Sequence, residues 1–159
     1  HGIMAIPMAG GMMAELIKIY RENWRAAGHS GNGQVMLAFH MLCHADGARA
    51  AQIARDPLNR YLKSLVEGAS HWLSGSNSAD YPGYDKIIAS LDAESFETQV
   101  EKGAAWVGEP AAIIDAIKRY DEMVGGFEIA SLQVNFNTVA VEDAETSMRL
   151  FSEKVMAVL

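Results

Sequence analysis

The chain is poor in the features that would settle its class at once. Its 159 residues contain one cysteine, Cys43, so no internal disulfide can form, and a reducing, cytoplasmic setting is expected. Basic residues are outnumbered, 13 Lys and Arg against 20 Asp and Glu, for a net charge of −7. No basic surplus exists to neutralise phosphates, and no cluster interleaves basic and aromatic residues, so nucleic acid is excluded as a partner. No apolar run is long enough to span a membrane. Residues 2–9 are apolar but short and lack a basic flank, unlike a secretory signal. Internal repeats, a domain-separating linker, a nucleophile elbow and a Ser/His/Asp arrangement are also missing.

What is present reads as one α/β domain with length enough for a real core. Residues 2–7 form a short buried strand that Pro7 ends. Met8 to Met12 form a glycine-bearing loop that lacks the GxGxxG spacing and following lysine of a nucleotide fingerprint. Met13, Leu16, Ile17, Tyr20 and Trp24 share a face and predict a helix over 13–27, capped by Gly28. Residues 34–43 have almost no polar interruption, as in a strand covered on both faces. Helices are expected over 46–55 and 58–68, broken or kinked at Pro57. Residues 74–83 are a Ser/Gly/Asn loop. Short helices follow near 84–91 and 94–104. Glu109-Pro110 then opens a helix carrying Ile113, Ile114, Ile117 and Tyr120, and Gly125-Gly126 stops it. Residues 128–136 alternate as a strand, and a closing helix runs to Met156. Strands 3–7, 34–43 and 128–136 are expected to lie parallel, with helices 13–27 and 110–124 on one side.

Parity divides each long strand. Val35, Leu37, Phe39, Met41 and Cys43 oppose Met36, Ala38, His40 and Leu42. Glu128, Ala130, Leu132, Val134 and Phe136 oppose Ile129, Ser131, Gln133 and Asn135, continuing to Asn137. The bulky apolar faces suit covering helices, which leaves His40, Ser131, Gln133 and Asn135 pointing inward. The alternative for each is a hydrogen-bonded polar layer that only packs. His40, Cys43, His44 and Asp46 invite a metal reading, but on a strand His40 and His44 are about 13 Å apart and Cys43 faces away from His40. No metal is expected. Asp46 suits the cap of the next helix. Trp24, Trp72 and Trp106 read as core or loop packing, His29 as a solvated turn residue, and His71 has no evident partner.

Several motifs taken in order carry a resemblance. They are Gly2-Ile-Met-Ala-Ile-Pro-Met8, Tyr20-Arg-Glu-Asn-Trp-Arg-Ala-Ala-Gly-His29 and Val35-Met-Leu-Ala-Phe-His40. Trp106-Val-Gly-Glu-Pro110, Gly125-Gly-Phe-Glu128 and Ser147-Met-Arg-Leu-Phe-Ser-Glu-Lys-Val-Met156 continue the series. Together they resemble the C-terminal portion of the bacterial luciferase-like flavin monooxygenases. The resemblance covers nearly the whole chain, least in 60–95. It implies a (β/α)8 barrel, of which residues 1–159 supply roughly the last three βα units with an insertion over 57–105. Closing such a barrel takes about 250 residues, so a piece of a longer protein is expected.

The implied activity is oxidation of a small apolar aldehyde or ketone with O2 and reduced FMN, or the deazaflavin F420, with a flavin reductase as a further partner. The cofactor carries the chemistry, and the protein binds, orients and excludes water. In the family the flavin phosphate is held mainly by a loop preceding the segment that matches Gly2–Pro7. Residues 73–85 match the place of a mobile lid. Taken with the parity, the resemblance makes His40 and Asn135 the expected catalytic residues and Met8, Gln133, His44 and Asn137 the expected cofactor contacts. A homo-oligomer, or association with the remaining half of the barrel, is expected. The alternatives are a non-catalytic flavoprotein or partner subunit of the same fold, and a small apolar-ligand-binding domain of unrelated α/β fold.

Overall fold

Strand and helix alternate along the chain. In order the elements are β1 Ile3–Ala5, α1 Gly10–Ala26, β2 Val35–Cys43, α2 Gly47–Gly75, α3 Tyr84–Asp92, α4 Phe96–Glu101, β3 Ala105–Gly108, α5 Pro110–Val124, β4 Ile129–Gln133 and α6 Val141–Phe151. A π-helical turn, Ser152–Met156, extends α6. The structure, a computed structural model, describes residues 1–7, 10–75 and 84–159, with backbone alone at 10–11, 71–75 and 84–87.

β2 is the hub of a parallel sheet. Met36 pairs with Met4 of β1 and with Ile129 of β4, while His40 pairs with Ala105 of β3 and with Gln133 of β4. β4 therefore takes one edge of β2, and β1 then β3 take successive stretches of the other. β1 ends at Ala5, opposite Leu37, and so leaves room for β3 from His40 onward. The three expected strands are parallel, as the strand–helix alternation required. Ala105–Gly108 is a fourth strand, where the sequence reading had three. Its four residues are too few to show alternation, and tertiary burial of Ala105 and Trp106 decides it.

The two faces of β2 are buried in different cores. Val35, Leu37, Phe39, Met41 and Cys43 pack against Met13 and Ile17 of α1, Ile113 and Ile117 of α5, and Phe151 and Val155. Phe39 stacks on Trp106 with ring centroids 4.0 Å apart and meets Tyr120 edge-on at 5.2 Å. α1 and α5 thus share one side of the sheet, as expected. Leu42, on the opposite face, joins Ala50, Ala54, Leu58 and Leu62 of α2, together with Phe96 and Phe136.

Local chemistry explains several boundaries. Pro110 stands in the first turn of α5 after the extended Glu109, and Gly125, at φ 77°, caps the other end. Asp46 Oδ1 accepts the Ala48 and Arg49 N–H groups at 2.9 and 3.2 Å and caps α2. Glu128 ties β4 to β2: its N–H donates to the Val35 carbonyl at 3.0 Å, and its carboxylate accepts the Val35 N–H at 2.7 Å. Arg21 pairs with the same carboxylate at 3.0 Å and donates to the Gly125 and Gly126 carbonyls.

Other boundaries depart from the sequence reading. α1 starts at Gly10, so Gly10–Met12 belong to the helix. α2 runs unbroken through Pro57, because Ala54, Leu58 and Leu62 form one continuous buried stripe across it; tertiary burial outweighs the lost backbone bond. α2 also continues to Gly75, into the expected loop, and the helix near 94–104 contracts to Phe96–Glu101. β4 ends at Gln133 rather than at 136. Of the expected mobile stretch 73–85, residues 76–83 lie outside the described residues.

Candidate functional site

His40 is the one polar side chain on its face of β2, and it is 4% exposed. Tyr61, from α2, meets its ring edge-on with centroids 4.5 Å apart. Phe136, from the bend after β4, does the same at 5.0 Å. Nε2 of His40 is buried and has no hydrogen-bond partner. Burial lowers the imidazole pKa from 6.5 to about 4, because an apolar setting disfavours the charged ring. At neutral pH His40 is therefore an uncharged hydrogen-bonding group, not a cation. Gln133, its cross-strand partner, is half-buried and is the last residue of β4. His40 and Gln133 thus form a polar row near the C-terminal ends of two adjacent parallel strands, where the ligand crevices of parallel sheets occur.

The other expected site residues are placed differently. His44 is partly buried in the loop after β2, and its Nδ1 accepts the Asp46 N–H at 2.9 Å. That bond leaves Nε2 to carry the proton as a donor. Asn135 lies beyond the end of β4, in a bend, and is exposed. Strand parity therefore does not carry its side chain inward. The bend has a cause: Phe136 seats in the second core beside His40, where an unbroken strand would have put it on the opposite face with Leu132. Asn137 is exposed with φ 51°, a conformation asparagine tolerates better than most residues. Met8 lies outside the described residues, as do the side chains of His71 and Trp72.

Cys43 belongs to the first core, across the sheet from His40. Burial raises its thiol pKa to about 11, which leaves it a poor nucleophile and a poor metal ligand. Among the described residues no three His, Cys, Asp or Glu side chains gather as a metal site. The end of β2 is instead held by α6. Ser147, 1% exposed, accepts the Cys43 N–H at 2.7 Å and contacts the Met41 sulfur at 3.4 Å. Trp24 donates from Nε1 to the Ser30 carbonyl and packs on exposed His29.

Sequence reasoning missed Tyr61 and misplaced Phe136. Tyr61 had a faint signal: it follows Leu58 by three residues on the buried stripe of α2, the one stripe member with a polar tip. Phe136 had none, since its face depends on where β4 stops. An apolar groove of about 330 Å³, lined by Trp106, Phe127, Leu132, Phe151 and Met156, lies on the helix side of the sheet. It is on the face opposite His40 and takes no part in this site.

Two solved structures share the fold of this chain. Both are similar to it over nearly its whole length. One is the monooxygenase RslO1 from Streptomyces bottropensis, with a TM-score of 0.68 and 23% identity over 99% of this chain. The other is a type II Baeyer–Villiger monooxygenase in complex with FMN, the oxygenating constituent of 3,6-diketocamphane monooxygenase from Pseudomonas putida. Its TM-score is 0.66, with 20% identity over 96% of this chain. This chain spans 42% and 41% of their respective lengths. No protein-family model matches the sequence, and no curated protein matches it. Among the described residues no helix is long and apolar enough to cross a membrane.

Proposed function

We propose that this chain is the C-terminal portion of a luciferase-like flavin-dependent monooxygenase. The observation that carries this reading is the structural likeness of nearly the whole chain to parts of two monooxygenases, one of them in complex with FMN. In the complete protein the parallel sheet continues into a (β/α)8 barrel, with residues 57–105 as an insertion at its C-terminal mouth. The substrate class is a small apolar aldehyde or ketone, oxidised in the cytoplasm with O2. FMN is the favoured cofactor and F420 the alternative, and a flavin reductase is the expected electron source. The partner is a second copy of the protein in a homo-oligomer or the rest of the barrel.

The residues present suit a flavin. The His40 Nε2 that this chain leaves without a partner can hydrogen-bond the polar edge of a planar ring. The neighbouring amide of Gln133 can donate and accept beside it. Reduced flavin, when bound, supplies the electrons for oxygen transfer. His40, uncharged, orients that ring or stabilises developing charge by hydrogen bonding. His44 offers its Nε2–H from the loop after β2, and Asn135 and Asn137 follow the C-terminal end of β4; Met8 is the remaining expected cofactor contact. Tyr61, Phe136 and the α2 stripe keep water away.

The test uses the complete reading frame that contains this chain, supplied with FMN, a flavin reductase and NADH. Ketone-dependent O2 uptake with one oxygen atom entering the product is expected, falling at least tenfold in His40→Ala. Flavin reduction with no substrate-dependent oxygenation across aldehydes and ketones would overturn the reading.

A further inference from the structure

His40 is sealed by this chain's own atoms. Its Nε2 is buried without a partner, and among the described residues the rings of Tyr61 and Phe136 pack edge-on against the imidazole. No outside group reaches that nitrogen until something moves. A buried hydrogen-bonding group without a partner is costly, and a leucine of similar size would carry no such cost at this position.

The two covers differ. Phe136 is 4% exposed and fixed in the second core. Tyr61 is only partly buried, at the rim of that core. It lies one helical turn after Pro57, where α2 lacks a backbone bond. A swing of the whole helix would uncover Leu58 and Leu62, which are buried against Leu91 and Phe96. Rotation of one partly buried side chain uncovers neither. Exposed rotamers exchange in nanoseconds, and a partly packed ring is slower but needs no unfolding.

We propose that Tyr61 is a side-chain gate over His40, whose rotation admits the hydrogen-bonding edge of a ligand to the imidazole. This rests on the preceding reading for the identity of the ligand but not for the gate itself. The gate makes Tyr61 a selecting residue. A ligand must fill the space the phenol ring vacates, so flat rings are favoured over compact polar molecules.

The experiment measures access to His40 in the complete protein that contains this chain, without flavin. Histidines are acylated with diethylpyrocarbonate at pH 7, and modification is located by peptide mass mapping across a series of low urea concentrations. Because burial holds His40 uncharged at that pH, its rate reports access rather than protonation. Exposed His29 is the internal reference. The expected result is a His40 rate far below that of His29 and flat in low urea, the mark of a local opening. Tyr61→Ala should raise it at least tenfold with His29 unchanged, and Tyr61→Phe should leave it near the parent value, since the ring is the cover. If Tyr61→Ala fails to fold by circular dichroism, Tyr61→Leu takes its place. A His40 rate that tracks global unfolding with the full urea slope overturns the gate, as does one that stays at the parent value in folded Tyr61→Ala or, in its place, Tyr61→Leu. Oxygenation by the complete protein is scored separately, so a working gate with no oxygenation would sink the functional reading alone.

Discussion

At the scale of single residues, His40 makes stability depend on pH. Its folded pKa, about 4, lies below the unfolded value near 6.5. Between those values the unfolded chain binds a proton that the folded chain refuses, so stability falls as pH falls from 6.5 to 4. A shift of that size corresponds to about 3 kcal/mol in total. Glu94 also loses stability on acidification, but lower. Burial alone would raise its pKa, yet hydrogen bonds from Lys102, Thr98 and Gln99 and the Lys102 charge outweigh burial and lower it. Its contribution is present above the unfolded value and is lost as pH passes down through the folded one. His40→Leu should therefore flatten the stability profile between pH 6.5 and 4 and leave the lower step in place. Urea unfolding followed across pH checks this. Ser147→Ala makes a second case. It strands the Cys43 N–H at the end of β2 and should cost about 1–3 kcal/mol, read as a lower urea midpoint with unchanged slope.

At the scale of elements, α2 and the turn before β2 offer the sharpest tests. Pro57 sits inside α2 and removes one helix bond. A proline in a helix interior costs about 3 kcal/mol relative to alanine, so Pro57→Ala should raise stability by about 1 kcal/mol or more after some loss of packing. A rise in melting temperature with a deeper helical circular-dichroism signal is the expected readout. Gly33 behaves oppositely. It has φ 78°, and a Cβ there would lie 2.4 Å from the Tyr20 hydroxyl, the group that accepts the Gln34 N–H. Gly33→Ala should destabilise by at least about 1 kcal/mol, the usual cost of a side chain in the left-handed region; calorimetry would show it.

At the scale of the whole molecule, the sheet is open among the described residues. β1 and β4 each pair with β2 alone. Met4 is 68% exposed, and Met12, Leu16 and Ile19 make an outward apolar stripe on α1. Such edges and faces invite association. The isolated chain should therefore self-associate and should neither turn over nor bind FMN tightly. Light scattering and quenching of flavin fluorescence test these outcomes, and a monodisperse chain that quenches FMN stoichiometrically would contradict both.

Much of this was decided by the sequence alone. The uninterrupted apolar run 35–43 demanded a strand buried on both faces, and its parity correctly sent Phe39, Met41 and Cys43 to one core and His40 to the other. Pro110 and Gly125 set both ends of α5 because one lacks an N–H and the other tolerates positive φ. Asp46 announced the start of α2 by its capping carboxylate. These are local effects, carried by a few adjacent residues. The tertiary structure decided what depends on distant partners. Four residues became β3 only because His40 to Cys43 offered a vacant edge. α2 crossed Pro57 because its buried stripe outweighed one missing bond. β4 stopped at Gln133 because Phe136 is better buried beside His40 than on the strand's other face, which turned Asn135 out to solvent. Tyr61 reached His40 for the same reason: burial against a partner far along the chain outweighs local preference, and no spacing within the sequence records which partner that is.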